Sequence, residues 1–197
     1  MTTQKVISTL MMWCACMSVA ACADDDMENE SPKSPTAVSQ RPPQGAQAVE
    51  AWLAEGDYKD WQCEGKKHAA RAPSPHGWNR ICSNDAISAN KSGTKDWPAG
   101  AAAVKELYAS EDARDPVGYA VYLKTARDSA GGDNWYWYER VPLDHPAPHD
   151  EDGVVADGMG DDGPAKNICV ACHAASGSDA AHTPSAGGRD QVYTPVE

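Results

Sequence analysis

Four short runs in the middle of the chain are rich in β-branched and aromatic residues and bounded by Gly, Pro, Asn or Asp. They span Gly77–Ser83, Ala101–Tyr108, Val117–Lys124 and Trp135–Val141, and this pattern predicts strands. Ala130-Gly131-Gly132-Asp133-Asn134 lies between the last two and predicts a hairpin turn. Ahead of them, Ala46 to Ala54 carries Val49, Trp52 and Leu53 at helical spacing, which predicts a short helix. Residues 64–76 are basic and Pro-interrupted and read as loop. Residues 142–165 contain Pro142, Pro146, Pro148 and Pro164 and read the same way, with Pro164 suited to the first turn of a following helix. The tail from Ser176 is Gly/Ser/Pro-rich and reads as irregular, and there is no internal repeat. The pattern is that of a β-rich domain ending in a helix.

The N-terminus has a different pattern. Lys5 precedes an apolar stretch from Val6 to about Cys22, too short and too poorly flanked for a membrane span. It ends in Val19-Ala20-Ala21-Cys22, which resembles a bacterial lipobox whose cysteine is lipidated and becomes the mature N-terminus. Ordinary cleavage near Ala21 or Ala23 is the alternative. The expected organisation is a lipoprotein-type signal peptide over 1–21, an acidic and Pro-rich disordered tether over 22–45, and one domain over 46–197. That domain has about 150 residues, enough for a single core. The expected location is exported, periplasmic or held at the outer membrane, with membrane contact only through lipid on Cys22. The formal net charge of −12 argues against nucleic acid and anionic lipid surfaces as partners. With no Phe but seven Trp and seven Tyr, large aromatics are expected to fill part of the core.

The cysteines carry the chemistry. Cys14 and Cys16 leave with the signal. Cys63 and Cys82 form an even pair in an exported domain, and a disulfide between them is expected, with two free thiols as the alternative. Closing a loop of roughly 20 residues is worth ~3 kcal/mol in the chain-entropy view. Cys169-Val-Ala-Cys172-His173 has the spacing for covalent attachment of a c-type haem, with both thiols bonded to the porphyrin vinyl groups and His173 as an axial iron ligand. A zinc half-site is the competing reading, but no second Cys/His pair with zinc spacing is present. The motif's place in the chain excludes an ordinary small cytochrome c. Such a protein is all helical, carries the motif near its N-terminus and supplies a Met downstream. Here strands come first and no Met follows His173.

Four further segments combine with the motif. They are Tyr58-Lys59-Asp60-Trp61 with Asn79-Arg80-Ile81-Cys82-Ser83-Asn84-Asp85, then Gly100-Ala101-Ala102-Ala103-Val104-Lys105-Glu106-Leu107, then Asn134-Trp135-Tyr136-Trp137-Tyr138. In this order, over roughly residues 50 to 180, the chain resembles the cytochrome P-460 family, which includes the cytochromes c′-beta. The resemblance implies an α+β fold, mainly an antiparallel β-sheet with flanking helices and a haem-bearing helix near the C-terminus, usually dimeric. It implies covalently bound haem c with a five-coordinate iron, His173 proximal and the distal side open. Enzymatic members oxidise hydroxylamine and carry a lysine bonded to the porphyrin, and Lys105 matches it. The c′-beta members lack that bond and bind nitric oxide. In the enzymatic members an acidic residue lies over the iron on the strand matching Gly118–Lys124. The matching position here is Ala120, flanked by Tyr119 and Tyr122 as candidate distal residues, and no Asp or Glu lies in that run.

Read on their own, Ala101, Ala103, Lys105 and Leu107 share one strand face, an odd setting for a solvated lysine; a lysine that snorkels past the sheet edge is the alternative. Arg80 is a candidate partner for a haem propionate, or a strand-surface charge. His76 reads as a surface loop histidine, His145, His149 and His182 as exposed, and Met159 as a surface residue, although His76 or Met159 would make the protein a six-coordinate electron carrier if either reached the iron. The acidic cluster Asp150-Glu151-Asp152 with Asp161-Asp162 matches no calcium loop and reads as a solvated face. The functional expectations are a hydroxylamine-oxidising haem protein working with a redox partner protein, a nitric-oxide-binding protein, or an electron-transfer cytochrome.

Overall fold

The computed structural model describes residues 41–70, 74–89, 97–127, 130–176, 190–193 and 196. The expectations for residues 1–40, Cys22 among them, and for His182 lie outside the described residues. None of the described helices is long and apolar enough to cross a membrane.

Helix α1 (Ala46–Glu55) and a 3₁₀ turn (Asp57–Asp60) precede strands β1 (Gln62–Cys63), β2 (His68–Ala69) and β3 (Trp78–Ser83). The short helix α2 (Asp85–Ser88) leads to β4 (Ala102–Tyr108), β5 (Gly118–Lys124), β6 (Trp135–Arg140) and β7 (Val154–Met159). A π-helical segment (Ala165–Val170) then runs into α3 (Ala171–His173). The strands make one seven-stranded sheet in the order β1-β3-β4-β5-β6-β7, with β2 also on β3, and every pairing is antiparallel. The sheet is mainly antiparallel with a few short helices, the α+β class that the resemblance implies. The four expected strands and the hairpin turn are present, with edges moved by one residue. Three strands are corrections. β2 lies inside the expected 64–76 loop and β7 inside the expected 142–165 loop, while β1 is a two-residue pairing. β7 escapes the pattern because Asp157 and Gly158 interrupt its apolar run, and an edge strand tolerates both.

Helix α1 ends where Gly56 adopts φ +80 and donates its N–H to the Trp52 carbonyl, the left-handed stop that glycine makes without strain. Its Val49, Trp52 and Leu53 are buried against Cys82, Val104, Val121 and Tyr138 on one sheet face. Full burial of such side chains stabilises by about 1.5–3 kcal/mol each. The C-terminal helical segment covers the other face, where Ala165, Cys169 and Val170 meet Ala101, Ala103, Trp135 and Trp137. Cys63 and Cys82 are cross-strand partners and form a disulfide, as the cysteine count leads one to expect.

The α1 face contains a buried carboxylate. Glu106, only 2% exposed at its side chain, accepts from Arg80 Nε at 2.7 Å, Tyr108 Oη at 2.7 Å and Tyr58 Oη at 2.8 Å. Burial alone would raise its pKa, but these three donors outweigh burial and hold it below the ordinary 4.5. A depressed carboxylate pKa stabilises the fold above the unfolded value, and that contribution is lost as pH falls through the folded value. Replacing Glu106→Gln should therefore cost about 1–3 kcal/mol in urea unfolding at pH 7. The gap to wild type should close as the pH drops below the carboxylate range. Parallel stability curves from pH 7 to pH 3 would contradict this.

Candidate functional site

Strand register decides which side chains meet. Ile81, Lys105, Ala120 and Glu139 are successive cross-strand partners on β3, β4, β5 and β6, so they form one row on one face. The neighbouring row, Arg80, Glu106, Tyr119 and Arg140, points the other way. The first row is one wall of a cavity of about 370 Å³, and Cys169, Cys172 and His173 form the wall opposite. That volume lies at the low end of the roughly 300–1,000 Å³ of small-molecule and cofactor sites.

The helical wall starts at Pro164, whose fixed φ suits a first turn, and holds the two cysteines three residues apart. Both thiols are free, Cys169 buried and Cys172 exposed. Burial pushes the Cys169 thiol up to about 12, and the charge of Glu139 and the nearby Cys172 add to the effect. His173 is ringed by Trp137, Tyr193 and Tyr122 at centroid distances of 4.7, 5.1 and 6.1 Å. Its Nδ1 lies 2.7 Å from the Gln191 carbonyl oxygen. A carbonyl only accepts, so Nδ1 carries the proton and Nε2 keeps its lone pair. Desolvation by burial pulls the His173 pKa down to about 3, against the Gln191 hydrogen bond, which raises it; the positive charge of Lys105 lowers it further. The imidazole is therefore neutral and able to ligate a metal at ordinary pH.

A polar corner faces this wall. Lys105 Nζ donates to His76 Nδ1 at 2.8 Å, leaving His76 Nε2 as the protonated nitrogen, 3.5 Å from Glu139 Oε1. The His76 and Glu139 side chains are 11% and 10% exposed. The surface-loop reading of His76 is thus corrected: Pro75 and Gly77 give it the composition of a loop, yet the chain turns it inward onto Lys105. Asn79 Oδ1 and Trp137 Nε1 are buried without a hydrogen-bond partner, and both residues line the cavity.

Of the residues singled out in the sequence, the structure brings Lys105, Ala120, Tyr122, Cys169, Cys172 and His173 together. It does not bring Arg80 or Tyr119. Alternation sends both to the α1 face, where Arg80 is paired with Glu106 and Tyr119 stacks edge-on to Tyr58 at 6.3 Å. Neither Arg80 nor Tyr119 lines the cavity. Met159 is corrected from a surface residue to a partly buried one, packed in the α1-side core beyond reach of the cavity. His145 and His149 are half-buried and do not line the cavity, and Asp150, Glu151, Asp152, Asp161 and Asp162 are exposed as expected. Glu139 is the residue the sequence reading passed over. Its signal was its alternation with Trp137 on β6, two residues along on the same face.

Two glycines seat the helical wall on the sheet. A Cβ on Gly160 would lie 2.2 Å from the Gly132 carbonyl oxygen and 2.8 Å from Val170 Cγ2. The backbone contact cannot give way without moving the hairpin turn. Gly160→Ala should therefore destabilise by about 1–3 kcal/mol, a Tm drop of roughly 3–10 °C, and should alter the chain's tryptophan fluorescence. A variant with wild-type Tm and emission would contradict this seating. No protein-family model matches the chain, and neither does any curated protein.

Proposed function

We propose that the protein is an exported haem protein of the cytochrome P-460 type that oxidises hydroxylamine or a closely related small nitrogen compound. The observation that carries this reading is the opposition across one cavity of two free thiols and a tautomer-fixed histidine to a carboxylate, an imidazole and an amine. The donor set suits a c-type haem: Cys169 and Cys172 would make the thioether bonds, and His173 Nε2 would ligate the iron. A second-shell carbonyl on the other ring nitrogen is the usual partner of a metal-ligating histidine. The unpartnered Asn79 Oδ1 and Trp137 Nε1 in the lining also favour a bound group over a dry apolar core. When bound, such a haem supplies an iron that takes electrons from the substrate and passes them to a redox partner protein.

The chain's own residues do the rest. Oxidation of hydroxylamine releases protons, and Glu139 is the carboxylate available to accept them. The acidic residue expected on β5 is absent, but Glu139 is the cross-strand partner of Ala120 and offers the same group from the next strand. The small Ala120 side chain leaves room beside it. His76 shares the corner and can relay a proton between Glu139 and Lys105. Lys105 is the candidate for the bond to the porphyrin. An electron-carrier role is less favoured, because Met159 belongs to the other sheet face and both His76 nitrogens already face Lys105 and Glu139. The lipid anchor on Cys22 and a homodimeric state belong to the same proposal.

Purified protein should show a high-spin, five-coordinate spectrum and turn over hydroxylamine with an artificial electron acceptor. Glu139→Gln should keep that spectrum and lose roughly 100- to 10,000-fold in kcat. A low-spin six-coordinate spectrum in both oxidation states, or full activity in Glu139→Gln, would overturn the assignment.

A further inference from the structure

The segment after α3 returns to the sheet at Asp190, Gln191 and Val192. Two consecutive non-glycine residues there are left-handed, Asp190 at φ 48 and Gln191 at φ 70. Such backbone is strained for a non-glycine residue and persists only where the surroundings impose it. Here the imposing contacts are visible. The Asp190 carboxylate pairs with Lys124 Nζ, whose side chain is 0% exposed, and accepts from Trp135 Nε1 at 3.1 Å and from the Trp97 backbone N–H at 3.3 Å. Val192 is wholly buried in the same cluster that holds Cys169 and Val170. The outcome of this forced turn is that the Gln191 carbonyl faces His173 Nδ1.

We propose that residues 190–192 form a proximal clasp and that Asp190 is a positioning residue for His173. The buried Lys124–Asp190 pair holds the left-handed turn, the turn aims the Gln191 carbonyl, and the carbonyl fixes which imidazole nitrogen is left for the metal. The assignment rests on the haem reading for the identity of that metal, and on geometry alone for the clasp. A buried ion pair is a costly way to secure a turn that apolar contacts could hold, since its desolvation offsets much of its attraction. Its value here is directional: a charged pair with two further donors fixes the carboxylate in one orientation, and the next residue's carbonyl follows. A hydrogen bond to Nδ1–H makes the imidazole a more basic ligand, which favours ferric over ferrous iron.

The test uses the full chain with its haem. Asp190→Asn should retain covalent haem and a native near-ultraviolet circular dichroism spectrum. Its iron–histidine stretching band should shift or broaden. Its ferric preference should fall about tenfold, an upward potential shift of about 59 mV for a one-electron couple. Asp190→Glu, which keeps the charge, should recover part of both changes. A folded Asp190→Asn with the wild-type band and potential would overturn the clasp. If Asp190→Asn does not fold, wild-type protein decides alone. A His173 Nδ1 proton sheltered from exchange in its NMR spectrum supports the clasp, and one exchanging freely with solvent overturns it. Absence of haem from the purified chain would sink the haem reading and leave the clasp testable. His173 nitrogen shifts should then report a fixed Nδ1–H tautomer in wild type and a mixture in Asp190→Asn, and identical shifts in both would reject it.

Discussion

Side-chain alternation across β3, β4, β5 and β6 decides which residues of these strands reach the cavity. The row from Ile81 through Lys105 and Ala120 to Glu139 and the row from Arg80 through Glu106 and Tyr119 to Arg140 are one residue apart in every strand. A slip by one residue in any strand would exchange their faces. Burial on both sides prevents that slip. On one face α1 covers Val104, Val121 and Tyr138; on the other the C-terminal helical segment covers Ala103, Trp135 and Trp137. Each face also places a charged group where only one register satisfies it. Glu106 finds Arg80 and two tyrosine hydroxyls on the α1 side, and Lys124 finds Asp190 on the other.

The two faces divide the work. The α1 face is a closed core rich in aromatic side chains, with a carboxylate held by three donors. The opposite face leaves a gap between sheet and helix, mostly apolar in its lining, with His76, Lys105 and Glu139 at one corner. His173 joins the two walls. Its ring packs on Trp137 and Tyr122 from the sheet, and its Nδ1 is held by backbone from the returning tail. His173 is thus oriented by β5, β6 and the returning tail, an arrangement that would suit a fixed metal ligand.

Much of the sheet was legible in the sequence, because β3 to β6 carry β-branched and aromatic residues between strong turn formers. The pairing of Gly131-Gly132 with a hairpin was legible for the same reason. Cys169, Cys172 and His173 were legible from spacing alone, and the shared face of Lys105 from strand alternation. What the sequence hid was relative register. The strand that the resemblance pairs with a carboxylate, β5, has none in its run Tyr119-Ala120-Val121-Tyr122, whereas Glu139 lines the cavity from β6 as the cross-strand partner of Ala120. Arg80 and Tyr119 could be assigned to a face only once their cross-strand partners were known. His76 looked like a surface residue because its flanking Pro75 and Gly77 describe the backbone, and they say nothing of where the loop packs. Asp190 and Gln191 sit in a tail whose composition reads as irregular; their left-handed turn follows from the long-range contact with Lys124, which no local pattern encodes.

The central claim is that the cavity between Glu139 and His173 holds a covalently attached haem. The most direct measurement is the intact mass of the chain, produced in a host that matures c-type cytochromes and then denatured in acid. One haem should be retained on the denatured polypeptide, localised to the peptide containing Cys169 and Cys172, and lost when both are replaced by alanine. Haem that separates from the denatured chain, or a chain with no added mass, would contradict it.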